Sequence, residues 1–194
     1  LSKDPVVFEH MSEDFGPAAR EQTLLDVEAL VFDDEASYLD LFITRDTFID
    51  RKLASIYRVP APAREGFARA TLPDDGTRRG LLGQASILAL HAHATRSSAT
   101  LRGKFVRKTL LCGVVPAPPV DVDTSVPEAS HDAPTLRDRV AAHLEVESCA
   151  NCHLAMDPIG LGLENFDGIG RWRTEQNGAV IEPWGDVDGA PFDD

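Results

Sequence analysis

Long apolar runs are missing from this 194-residue chain. The longest candidate, Leu81 to Leu90, is interrupted by Gly83, Gln84 and Ser86 and falls well short of the ~20 apolar residues that cross a bilayer. No membrane span is expected. A basic-then-apolar leader is missing as well, and Leu1 is not an initiator methionine, so the chain reads as a mature or excised piece of something longer. Positive charge is scarce: 19 Lys and Arg stand against 32 Asp and Glu, a net charge of −13. Such a surface repels phosphate backbones, which argues against nucleic acid as a partner. It either keeps the chain solvated or attracts a basic protein. Cysteine is scarce too. There are three, an odd number, and two of them share one short string, so no disulfide framework can be built. No nucleophile elbow, phosphate loop or second metal motif gives a hydrolase or nucleotide-binding reading a foothold.

What is present is mostly helical patterning. Ala18 to Phe32 places Leu24, Val27, Leu30 and Val31 at spacings of three and four, after a Gly16-Pro17 start. Further helices are expected over Glu35–Ile43, Thr47–Tyr57, Leu81–His93 and Thr100–Leu111, with loop from Ala61 to Thr77. Prolines at 116, 118, 119, 127 and 134 mark an extended strap. Thr135 with Asp138 forms a variant capping box and opens another helix. Beyond Asp157 the chain is loop-rich, with a short strand expected at Val180-Ile181 after the Gln176-Asn177-Gly178 turn, and Gly185–Phe192 read as a turn. The expected fold is mainly α: a helical domain over 1–113, a proline-rich strap over 114–133 and a small loop-rich domain over 134–194.

The chemistry is concentrated in Cys149-Ala150-Asn151-Cys152-His153. Two thiols at this spacing reach the vinyl-derived carbons of one porphyrin, and the histidine that follows is held against the iron. Two rivals stand beside one covalent haem c. A zinc site would recruit Cys112 and a further histidine, and a thioredoxin-like dithiol would want a βαβ setting that is not evident. Cys112, at the end of an apolar helix, reads as a buried free thiol.

The same string, continued through Met156-Asp157-Pro158, Gly160, Leu163-Glu164-Asn165-Phe166-Asp167 and Gly170-Arg171-Trp172-Arg173, resembles a group of large, multi-domain secreted bacterial proteins of unknown function with a cytochrome c-like motif near the C-terminal end. Phe48–Ala54 with Tyr57 resembles the group's helical domain. Arg79–Leu82 through Arg102–Phe105 and the strap resemble the next one. The resemblance implies haem, a periplasmic or secreted location and redox use, with flanking domains of the same longer chain as partners. One departure is Ser98-Ala99, where the group carries Ser-Pro.

The ligand opposite His153 stays open. His143 is a tentative distal ligand, because the group carries a histidine at that place. His91, His93 and Met156 are its rivals, and His10, Met11 and His131 are weaker candidates. Met156 lies three residues beyond His153, on what reads as the same turn, and suits packing as well. Arg171 and Arg173 suit haem propionates, with Trp172 as a flat wall; the alternative is ion pairing to Glu164 or Asp167. Asp157-Pro158 reads as a turn former. The leading function is a single-haem electron-transfer module with a redox partner protein. The alternatives are a haem enzyme of peroxidase or oxygenase type with an open sixth position, and a haem-stapled interaction module.

Overall fold

Two polar residues, Gln22 and Asp26, share the buried face of the first helix, Phe15–Glu28 (α1). Phe15, Ala18, Ala19, Gln22 and Asp26 are inside, whereas Leu24 and Val27, expected on the buried stripe, are exposed, as is Val31. Asp26 explains the rotation. Its carboxylate accepts hydrogen bonds from the Thr47 hydroxyl, the Phe48 backbone N–H and the Gln84 amide, each at 2.7 Å. A buried carboxylate has to be satisfied, and donors fixed in later segments turn the helix toward them. Gln22 joins the network, donating to Thr47 and accepting from the Tyr57 hydroxyl, both at 2.7 Å.

The computed structural model describes residues 2–116, 126–141, 144 and 147–193. The chain divides into two units, Leu1–Ser97 with Phe166–Trp172, and Ser98–Asn165 with Arg173–Asp194. In the first unit, the segment expected as one helix over Thr47–Tyr57 begins as a strand, Asp46–Ile49 (β1), paired antiparallel with Ala68–Thr71 (β2) inside the expected loop. Asp50 then caps Arg51–Tyr57 (α2), accepting the Leu53 N–H at 2.9 Å. The helix expected over Glu35–Ile43 is only a 3-10 turn, Tyr38–Phe42. That over Leu81–His93 shortens to a 3-10 turn, Leu81–Gly83, and Ala85–Leu90 (α3). Phe15, Ile49, Leu53 and Ile56 form the core, joined by Ile169 from the returning segment.

The second unit begins with Ala99–Phe105 (α4), capped by the Ser98 hydroxyl, which accepts the Leu101 N–H at 3.2 Å. A π-helical turn, Val106–Leu110, follows. Cys112 lies beyond it in a left-handed conformation (φ 54°) and is exposed, which corrects its reading as a buried thiol. The helix ends before this residue, so the thiol falls off the packed face. Thr135 and Asp138 form the expected reciprocal cap of Leu136–Ala141 (α5), with bonds of 2.9 Å and 3.2 Å. Glu147–His153 (α6) and Asp157–Leu161 (α7) follow. Two hairpins close the chain, Glu175–Gln176 (β3) with Ala179–Val180 (β4) and Trp184–Val187 (β5) with Ala190–Asp193 (β6). Each turns on a left-handed pair, Asn177-Gly178 and Asp188-Gly189, the residues that two-residue hairpins favour.

The expectation of a mainly α chain is therefore corrected. The fold is mixed, with 39% of the described residues in helix and 12% in strand, in short helices and small two-stranded sheets. Side-chain hydrogen bonds convert part of one expected helix to strand, and the Asp188-Gly189 pair makes a hairpin of what reads as a turn. Within the second unit, which begins at Ser98, α4 packs on α7. Within the strap, residues 117–125, with Pro118 and Pro119, lie outside the described residues.

Candidate functional site

Cys149, Cys152 and His153 share one short helix. Cys149 and Cys152 are three apart on α6, on one side of it, and both are half-buried thiols without a disulfide. His153 ends the helix. Its Nδ1–H donates to Asp157 Oδ2 at 2.7 Å, one turn further on. An ionised carboxylate only accepts, so the ring proton sits on Nδ1 and Nε2 is the nitrogen with a lone pair for a metal.

Asp157 is the centre of a small relay. It is 2% exposed, and its other oxygen accepts the Thr100 hydroxyl at 2.7 Å. Thr100 stands in the first turn of α4, so the relay spans α4 and α7. Two glycines allow that contact. A Cβ on Gly103 would fall on the Met156 carbonyl, and one on Gly160 would fall on the Ala99 carbonyl. Each helix thus presents a glycine to the other's backbone. Pro158, in the first turn of α7, starts that helix where a missing N–H costs nothing.

Behind α7 lies a buried acid. The Glu164 side chain is 4% exposed; Arg173 donates to it at 3.0 Å, and the Arg102 guanidinium stands 3.6 Å away, itself 1% exposed. Arg102 also donates to the Leu163 carbonyl at 2.8 Å. Arg173 is therefore engaged by Glu164, the ion-pair alternative weighed for it. Arg171 belongs to the other unit. Its backbone N–H donates to Asp167 at 2.9 Å and its side chain lies 3.6 Å from Glu9. Trp172 meets Phe166 edge-on, ring centres 5.1 Å apart.

The distal candidates are scattered. His143 lies outside the described residues. His91 and His93 follow α3 in the first unit. Desolvation first, then the charges of Arg96 and Lys3, hold the His93 imidazole below the usual histidine range. Met156 is buried with its carbonyl at the Gly103 crossing. Met11 packs against the first unit's core, and His131 is exposed beside Asp132. Among the described residues no three His, Cys, Asp or Glu side chains converge as for a metal ion, so Cys112 does not complete a zinc-type set with the string. The donor set present, two thiols and an imidazole already oriented through Nδ1, fits a covalently attached haem.

Sequence reasoning took Asp157 only as a turn former, whereas it begins α7 and bonds to His153 and Thr100, and it gave no role to Thr100, Gly103 or Gly160. The separation of His153 and Asp157 by one helical turn was a readable signal for the first of these bonds. Nothing local links Thr100 to Asp157.

A family model described as PSCyt3, protein of unknown function (DUF1588), matches residues 78–176. The chain belongs to this family, whose name associates it with cytochromes. No curated protein and no solved structure matches the chain.

Proposed function

We propose that this PSCyt3-family chain is a c-type cytochrome module. One haem c is joined through Cys149 and Cys152, His153 is the proximal iron ligand, and the module serves electron transfer within a larger periplasmic or secreted protein. The observation that carries the reading is the Nδ1 bond of His153 to Asp157. Metal-bound histidines characteristically donate their second N–H to a carboxylate or carbonyl, which fixes tautomer and ring orientation. Each thiol adds across a vinyl group, forming a C–S bond while its proton goes to the neighbouring carbon, so attachment is redox-neutral. Bound haem supplies a one-electron iron couple. The chain's own residues hold the porphyrin, orient the imidazole and present an acidic surface, net −13, to a basic redox partner.

Intact mass with a pyridine haemochrome assay on protein matured outside the cytoplasm tests this. One covalent haem is expected on the chain and none on a Cys149→Ala, Cys152→Ala double variant; a wild-type mass without haem refutes the proposal. A low-spin spectrum indifferent to cyanide and peroxide is expected of a carrier. A high-spin spectrum that responds to peroxide would assign the chain to haem enzymes instead.

A further inference from the structure

We infer that Asp157 sets the iron potential by holding a buried negative charge against the Nδ1–H of His153. The inference rests on the haem reading above. Asp157 is 2% exposed. Its two oxygens are occupied by one hydroxyl, from Thr100, and one imidazole N–H, each at 2.7 Å. Among the described residues no Lys or Arg pairs with it. A carboxylate withdrawn from water and lacking a cation draws strongly on the hydrogens it does have. The imidazole proton is therefore pulled toward oxygen, the ring becomes the more basic ligand, and ferric iron is favoured over ferrous. A backbone carbonyl in the same place would orient the ring without this charge. Thr100 moderates the effect: its hydroxyl takes up part of the carboxylate's charge, and its removal leaves more for the histidine. Asp157 is thus a positioning residue that also tunes, and Thr100 is its counterweight.

The two residues make predictions of opposite sign. Asp157→Asn keeps an acceptor oxygen for Nδ1–H but loses the charge. The Fe(II)/Fe(III) ratio at a fixed ambient potential should rise about tenfold or more, an upward shift of about 59 mV. Thr100→Val should lower the same ratio, by about twofold or more, because a hydrogen bond to a buried charge is lost. Spectroelectrochemical titration of the full haem-loaded chain reads both, after a haemochrome assay has shown equal loading. A merely structural role would move both variants in one direction, or neither. Either result overturns the inference while leaving the haem assignment intact. Should Asp157→Asn fail to take up haem, Thr100→Val decides alone: a lowered ratio supports the inference, and an unchanged or raised one overturns it. A wild-type chain that takes up no haem is a different failure, seen in the haemochrome assay before any titration, and it removes the proposed function and this inference together.

Discussion

Replacing Gly160 by alanine would ordinarily strengthen a helix, since alanine exceeds glycine by ~1 kcal/mol per helical position. The crossing of α4 and α7 reverses the sign. The new Cβ would fall on the carbonyl of Ala99. That neighbour is backbone, so no rotamer change relieves the overlap and the helices must move apart. Overpacking costs ~1–3 kcal/mol, and a backbone obstacle belongs at the upper end. Subtracting the propensity gain leaves a net loss of about 2 kcal/mol. Gly103→Ala meets the Met156 carbonyl and should lose a similar amount. The two obstacles sit at one crossing, so the separation forced by the first makes room for the second. The double variant should then lose less than the sum of the singles, by at least about 0.5 kcal/mol. Urea unfolding followed by far-ultraviolet circular dichroism measures all three. A single variant as stable as wild type, or strictly additive losses, would refute the reasoning.

Burial raises the Asp26 carboxyl from 3.8 to about 6, against the hydrogen bonds of Thr47, Phe48 and Gln84 and the charge of Arg69. Between those values the folded chain keeps a proton that the unfolded chain has released, so stability falls as pH rises from about 4 to about 6. Relative to Asp26→Asn, wild type should lose about 3 kcal/mol across that window in urea melts; a flat difference contradicts the burial argument. Arg102→Ala removes a guanidinium that is 1% exposed from beside the buried Glu164, leaves that acid to Arg173, and should cost ~3 kcal/mol, whereas Arg173→Ala, at 24% side-chain exposure, should cost about 1 kcal/mol. Equal losses in denaturant titrations would remove the distinction. Cys112, exposed at a left-handed position, should take one adduct rapidly from a water-soluble maleimide in the native haem-loaded chain. Mass spectrometry showing no adduct would return it to the interior.

Features decided by near neighbours were legible in the sequence. The Thr135–Asp138 cap and the Asn177-Gly178 turn each lie within a few residues, where spacing alone carries the physics. The buried face of α1 was not legible in this way. An apolar count selects Leu24, Val27, Leu30 and Val31, of which Leu30 is buried, but Gln22 and Asp26 have donors and acceptors in β1, α2 and beside α3, and satisfying a buried carboxylate outweighs exposing the other three aliphatic side chains. The strand at Asp46–Ile49 has the same origin, since Phe48 gives its backbone N–H to Asp26. Thr100 stands 57 positions from Asp157, and no local pattern announces a partner at that distance.

That contrast changes how the string from Cys149 to Arg173 is understood. Read as a haem motif, every polar residue in it invites a direct role toward porphyrin. The side-chain partners divide the work differently. In the proposed haem module Cys149, Cys152 and His153 would be the attaching end. Asp157 and Gly160 aim the imidazole, one by its hydrogen bond and the other by letting α7 approach α4 closely enough for Thr100 to reach Asp157. Glu164 and Arg173 hold the segment that follows α7, together with Arg102. A substitution in the last group should therefore be read first in stability, and one at Asp157 first in potential. Gly160 is where the two meet: an added methyl group pushes at the same crossing that brings Thr100 to Asp157, so its loss of stability and its shift in potential should appear together.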